Sequence, residues 1–183
     1  LGRNTALSIA RHGGDVILTY RSQADEAQAV VAEIQAMGRR AAAFQLDTGN
    51  VAGFAAFAER LKQTLRETWR RDSFDHLVNN AGHGEYAPIE TTTEAQFDGL
   101  VNVHLKGVFF LTQTLLPLIA DGGRIVHLSS GLTRFAYPGY AAYAAMKGAV
   151  EVLTDYMAKE LGSRGITVNT VAPGAIETDF GGG

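Results

Sequence analysis

A doubly wound α/β fold built on a parallel sheet is predicted by three features of this 183-residue sequence. Short β-branched or apolar runs alternate with longer amphipathic runs of helical period, the texture of repeated βαβ units. The short runs are apolar along nearly their whole length, as strands are when helices cover both faces of a sheet. Glycines stand where the helices should stop, at Gly13-Gly14, Gly38, Gly122-Gly123 and Gly162 to Gly165, because glycine enters the left-handed cap conformation without a steric penalty.

In chain order, a helix over 3–12 leads to a strand from Asp15 to Tyr20 (DVILTY), and a helix over 24–37 to a strand from Ala41 to Leu46 (AAAFQL). A helix over 51–70 precedes the strand His76 to Asn79 (HLVN), and a helix over 93–120 precedes Arg124 to Leu128 (RIVHL). The helix over 140–162 leads to Ile166 to Val171 (ITVNTV). Right-handed crossovers are expected throughout. No repeat, low-complexity tract or linker divides the chain, so residues 1–183 read as a single domain.

A composition of 46% hydrophobic and 19% charged residues is that of an ordinary globular domain. The net charge of −3 and the scattering of basic residues argue against a nucleic-acid partner. With no cysteine, disulfides and thiolate metal sites are excluded, and a cytoplasmic location is the default. His12, His76 and His127 are too dispersed to suggest a metal site. The most apolar stretch, Gly107 to Ala120, is interrupted by Thr112, Gln113, Thr114 and Pro117 and falls short of the ~20 residues that cross a bilayer. No membrane partner and no signal peptide are expected.

Ligands of doubly wound sheets bind beyond the carboxyl ends of the strands. The residues there are Tyr20-Arg21-Ser22, Asp47-Thr48, Asn80-Ala81-Gly82, Ser129-Ser130 and Ala172-Pro173-Gly174. They outline a cofactor rim: small residues admit a ligand to the backbone, and an aspartate can accept a bond from an adenine amino group. In the segment YAAYAAMKGA, Tyr140, Tyr143 and Lys147 are spaced to share one helical face. Taken alone, the segment reads better as half-buried tyrosines with a snorkelling lysine. His83, Tyr86, Phe135 and Tyr137 suit an aromatic substrate cleft, and each singly suits a packing role. Tyr140 reads as pocket lining or as packing. His104, two positions from Asn102, is expected to point elsewhere on its helix and has no assigned chemistry.

Read together, these residues resemble the short-chain dehydrogenase/reductases, along nearly the whole chain. Asn79-Asn80-Ala81-Gly82 resembles the N-N-A-G strand end of that family, and Asn102 in NVHLKG its helix asparagine. Ser130, thirteen residues before Tyr143, and the run Tyr143-Ala-Ala-Met-Lys147 resemble the S…Y-x-x-x-K signature. Pro173-Gly174-Ala-Ile176-Glu-Thr178 resembles the P-G-x-[IV]-x-T segment that meets the nicotinamide. The broadest similarity is to 3-oxoacyl-carrier-protein-reductase-like members, with a Rossmann-type fold.

The resemblance implies hydride transfer between a nicotinamide and a ketone or secondary alcohol. Tyr143 is then the proton donor or acceptor, Ser130 the donor to the substrate oxygen, and Lys147 the partner of the nicotinamide ribose. Asn102 would hold a water between Lys147 and solvent. A free tyrosine titrates near pH ~10, and the Lys147 ammonium would favour its phenolate. Lys147, Tyr143, Asp47, Thr48, Asn80, Ala81, Gly82, Pro173, Gly174, Ile176 and Thr178 would bind the cofactor. Arg21 after the strand at 15–20, with no carboxylate before Asp25, suits a 2′-phosphate and therefore NADP over NAD; a solvated helix-start residue is the alternative.

Of the glycine loop T-G-x-x-x-G-x-G only Leu1-Gly2 is represented, so residues 1–183 are expected to be an internal piece lacking the first strand, the substrate lid and the last strand. Without that central strand, the strands at 15–20 and 76–79 should lie in separate sheets. The resemblance also implies a homotetramer or homodimer built on the helices at 93–120 and 140–162. A dinucleotide-binding scaffold that has lost its chemistry is the alternative, disfavoured by an intact Ser130, Tyr143 and Lys147.

Overall fold

The computed structural model describes residues 1–176. The chain forms two compact units, residues 1–47 and the remainder from Thr48. Both are α/β with parallel strands, the Rossmann-type class expected.

The first unit contains α1 (Gly2–Arg11), β1 (Val16–Tyr20), α2 (Ala24–Ala36) and β2 (Ala41–Gln45). β1 and β2 pair in parallel with Val16 opposite Ala41 and Tyr20 opposite Gln45. Leu7 and Ala10 of α1 and Val30, Val31 and Ile34 of α2 form one core with Val16 and Ala41, the i, i+3, i+4 stripe that commits an amphipathic helix to a sheet face. Gly13 (φ +90°) and Gly38 (φ +77°) turn the chain after the two helices. Asp15 accepts from the Arg40 backbone N–H at 3.0 Å and its side chain at 2.9 Å, which aligns the starts of the two strands.

The second unit contains α3 (Phe54–Thr64), β3 (Phe74–Asn79), α4 (Glu94–Val101), α5 (Gly107–Leu115), β4 (Ile119–Leu128), α6 (Ala141–Leu161) and β5 (Thr167–Val171). Its sheet runs β3-β4-β5, with Asn79 opposite His127 and His127 opposite Thr170. The division of the strands into two sheets agrees with the pairing expected for 15–20 and 76–79. Ile119 and Ile125 of β4, with Ile166 and Val168, pack against the Met157 to Leu161 end of α6.

Three boundaries differ from the sequence reading. The helix expected to reach residue 120 stops at Leu115, because Pro117 lies in a 3₁₀ turn over Leu116–Leu118 and cannot donate to an α-helical ladder. Gly122-Gly123 therefore end no helix. They lie inside β4, where the register shifts between Phe74 and His76. Arg164 stitches this irregular stretch to its surroundings, donating to Asp121 at 2.8 Å and to the Leu116 carbonyl at 3.0 Å. Two helices also pass into π-helical turns, at Leu65–Trp69 and Asn102–Lys106.

Candidate active site

The carboxyl ends of β3, β4 and β5 hold the second unit's candidate residues. Beyond β4, the Ser129 and Gly131 N–H groups donate to the carbonyls of Val171 and Pro173, each at 2.8 Å. The Pro173-Gly174 backbone is thereby laid against the Ser130 turn, and a Cβ on Gly131 would come within 3.4 Å of the Pro173 carbonyl. Ile176 is half exposed beyond them, and Thr178 lies outside the described residues.

Ser130 caps a short 3₁₀ turn, its Oγ accepting from the Leu132 N–H at 3.2 Å. The same hydroxyl acts on Tyr143. Tyr143 and Lys147 stand one turn apart on α6 and are both 5% exposed. Burial pushes the Tyr143 hydroxyl above its ordinary value, and Ser130 pulls it part of the way back. Lys147 Nζ lies 5.5 Å from the centre of the Tyr143 ring and donates to the Leu128 carbonyl at 2.7 Å. Desolvation lowers its ammonium to about 8. Ser130 favours the Tyr143 phenolate, while the Lys147 ammonium stands over the ring and donates to a backbone carbonyl.

Glu151, one turn beyond Lys147, went unnoticed in the sequence. Its Oε1 accepts from Ser129 at 2.6 Å and Thr133 at 2.9 Å, so it holds both flanks of Ser130 to α6. The Ser129 bond is the main reason its carboxyl sits below the usual range. A repeated Ser/Thr around Ser130 with an acid eight residues after Tyr143 was the available signal.

Beyond β3, the turn Asn80-Ala81-Gly82 meets His104. His104, read as pointing elsewhere on its helix than Asn102 and assigned no chemistry, has its ring edge-on to Tyr143, centroids 5.2 Å apart at 87°. The π-helical turn that carries both residues closes with the Gly107 N–H bonded to the Asn102 carbonyl. The side chain of Asn102 makes no hydrogen bond among the described residues, and its carbonyl serves that turn. Gly107 must be glycine here, since a Cβ would sit 2.2 Å from the Thr48 carbonyl; this close approach fixes Thr48 against α5.

Tyr140 does not extend the α6 face. It precedes the helix with φ −120° and ψ 18°, and its ring meets Tyr86 (5.7 Å, 75°) and Tyr137 (6.0 Å, 44°). Tyr86 packs on Gly139, and the Ala87 N–H donates to the Gly139 carbonyl at 2.8 Å. Tyr86, Phe135 and Tyr137 are largely exposed.

In the first unit, Arg21 is exposed just beyond β1, and the Gln45 side chain donates to its carbonyl at 3.0 Å. Asp47 follows β2, and Leu1-Gly2 open α1 with the Leu1 carbonyl accepting from Thr5.

Residues 1–182 match the short chain dehydrogenase family. The chain belongs to that family. This short-chain dehydrogenase/reductase is 39% identical over 182 residues to the 3-oxoacyl-[acyl-carrier-protein] reductase of Staphylococcus epidermidis, covering 98% of this chain and 72% of the relative. It is 34% identical over 180 residues to a hydroxynaphthalene reductase of Aspergillus fumigatus, covering 98% and 64%. This sequence thus spans about two thirds of the length of those relatives. Among solved structures, the angucycline C-6 ketoreductase with bound NADP superposes with a TM-score of 0.93 at 37% identity, over 97% of this chain and 69% of that one. A promiscuous reductase of lugdunomycin biosynthesis, which catalyses keto-reduction at C1, gives 0.92 at 41% identity over 99% and 72%.

Among the described residues, no helix is long and apolar enough to cross a membrane.

Proposed function

We propose that the protein is an NADP(H)-dependent ketoreductase in which Tyr143 delivers the proton to the carbonyl oxygen. The observation that carries this reading is the grouping of Ser130 and Lys147 about a buried Tyr143, with the Ser130 hydroxyl placed to favour its phenolate and the Lys147 ammonium 5.5 Å from its ring. A single oxygen atom near these two hydroxyls would receive both their hydrogen bonds. Reduction needs Tyr143 in its acid form, and a phenol held above its ordinary value by burial is that form at neutral pH. Ser130 stabilises the charge developing on the same oxygen.

The residues fit a nicotinamide cofactor. Lys147 carries three N–H donors, of which the Leu128 carbonyl takes one, so donors remain for ribose hydroxyls. The Pro173-Gly174 backbone and the Asn80-Ala81-Gly82 turn offer the close approach a flat ring requires. NADPH, when bound, supplies the hydride. Arg21 would pair with its 2′-phosphate, Asp47 would accept from the adenine amino group, Thr48 and Ile176 would flank the cofactor, and Leu1-Gly2 would open the pyrophosphate site, with Thr178 assigned by resemblance alone. Asn102 would hold a water between Lys147 and solvent, as the resemblance implies. The exposed rings around Tyr140 suit a ring-bearing ketone, in keeping with relatives named for hydroxynaphthalene and angucycline reduction. We place the protein in the cytoplasm as a homotetramer or homodimer, residues 1–183 being part of its single catalytic domain. The apolar groove between α5 and α6, lined by Phe109, Leu116, Val152, Leu153 and Tyr156, supports that assembly.

The test is NADPH oxidation by the full-length protein with aromatic and aliphatic ketones. Cofactor binding without turnover on any ketone would reject the reading in favour of a lapsed scaffold.

A further inference from the structure

The chemistry proposed above gives no task to the most buried ionisable ring beside Tyr143. His104 is 1% exposed. Its Nε2 meets the His83 backbone twice, 2.8 Å from the carbonyl and 3.3 Å from the N–H; the shorter contact assigns the proton to Nε2, which donates it to the carbonyl, and leaves Nδ1 as a buried acceptor without a partner among the described residues. One side of the ring lies against Gly82, where a Cβ would stand 2.7 Å from Cε1 and 3.2 Å from Nδ1. The ring also meets Tyr143 edge-on at 5.2 Å. A single imidazole therefore touches the turn beyond β3 through one bond and one bare glycine, and touches the Tyr143 ring through its edge.

We infer that His104 is a positioning residue: a ring wedged between the Gly82-His83 turn and Tyr143 that fixes the plane of the tyrosine and keeps water off it. The inference rests on the reading of Tyr143 as proton donor. Edge-to-face contact restricts ring tilt, and the Nε2 bond stops the imidazole from rotating in its turn. Among the groups facing Tyr143 are Lys147 from its own helix, Ser130 from the end of β4 and His104 from the π-helical turn, with His83 behind His104 at 5.2 Å. Burial first and the Lys147 charge second lower His104 to about 3, so it acts near neutral pH through shape and exclusion of water, not through charge.

Three substitutions in the full-length protein separate the wedge from the bond. His104→Ala removes both, His104→Phe keeps a ring without the N–H, and His104→Gln keeps an N–H within reach of the His83 carbonyl without the ring. For His104→Ala, kcat should fall roughly tenfold or more from lost orientation, with KM for the ketone within about twofold. Its alkaline pKa in kcat/KM should drop, because water now reaches Tyr143 and the burial that raised it is relieved. His104→Gln should show the same downward move, which keeps the test decisive if the alanine variant fails to fold. His104→Phe should retain the parent alkaline pKa and recover most of kcat. Parent kcat with an unchanged alkaline limb in the folded alanine or glutamine variant would overturn the inference, as would a phenylalanine variant no better than alanine. A parent protein that reduces no ketone would refute the underlying reading and this inference with it.

Discussion

Replacing Lys147 by methionine should abolish activity while leaving the cofactor-free protein as stable at pH 7 as its parent, or more so. Lys147 is 5% exposed and its Nζ donates to one carbonyl, that of Leu128, with no carboxylate paired to it among the described residues. Its fall from 10.5 to about 8 corresponds to about 3 kcal/mol at 1.36 kcal/mol per pH unit. The folded-state value is depressed, so the unfolded chain binds the extra proton between pH 10.5 and 8; stability is lost as pH falls through that window and stays lower beneath it. Methionine has nearly the same length and no charge to desolvate. Against the gain stands the Leu128 carbonyl left without its donor, a cost of about 1–3 kcal/mol. The balance at pH 7 lies between no change and a gain of about 2 kcal/mol, where removing one member of a true buried ion pair would cost about 3–5 kcal/mol. Urea denaturation of both proteins at pH 7 and pH 10 provides the check. Titration of other groups cancels in the difference, and the advantage of Lys147→Met should shrink by roughly 2 kcal/mol at the higher pH. A difference independent of pH, or a loss beyond about 2 kcal/mol at pH 7, would refute the reasoning.

Tyr143→Phe should lower kcat by roughly 10² to 10⁴ with the thermal transition preserved, whereas Tyr140→Phe should cost far less; the reverse order in steady-state assays would transfer the proton-donor role to Tyr140. Arg21→Ala should raise KM for NADPH more than for NADH, and a parent kcat/KM for NADH equal to or above that for NADPH would reject the assignment of Arg21. Buried His127, lowered to about 4 chiefly by desolvation, stays neutral in the fold while the unfolded chain takes up a proton below about 6.5. It should therefore remove about 2 kcal/mol of stability between pH 6.5 and 5, and His127→Asn should flatten that part of the stability profile measured by urea denaturation.

The strands were legible because their apolar runs are nearly continuous and end in short polar signatures. AAAFQL, HLVN and ITVNTV each lie within a residue or two of an observed strand. The grouping of Ser130, Tyr143 and Lys147 was legible for a related reason: a strand end and one helical turn set their spacing, and both are local. What escaped the reading depends on departures from regular geometry or on contacts between distant segments. No hydrophobic pattern announces that Pro117 would end a helix early enough for Ile119 to start a strand. The contact of His104 with Tyr143 joins two helices far apart in the chain, which no local pattern announces. Tyr140 misled in the opposite direction: its spacing matches the helix, yet the helix begins one residue later and the ring joins a loop cluster instead.

The polar residues behind the site explain why the lysine can remain unpaired by acid. His127 donates from Nδ1 to Thr154 Oγ1 at 2.9 Å; Thr154 in turn donates to the Val150 carbonyl at 2.8 Å and accepts from Thr170 at 2.6 Å. Asn79 donates to Thr112 at 3.0 Å. All of these groups are neutral, and the two buried imidazoles are held so by desolvation reinforced by the Lys147 charge itself. The one carboxylate close along the helix, Glu151, is engaged by the hydroxyls of Ser129 and Thr133. Were Glu151 free to reach Lys147, the ammonium would gain a partner, its pKa would climb, and its donors would be diverted from a ligand. The serine and threonine that hold Glu151 therefore protect the lysine as well as the turn that carries Ser130. Substituting Thr133 by valine should loosen that hold and, on this argument, raise the Lys147 pKa. An NMR titration of the lysine side chain would read this directly, and a pKa unchanged in Thr133→Val would show that Glu151 is kept from Lys147 by something other than its hydroxyl partners.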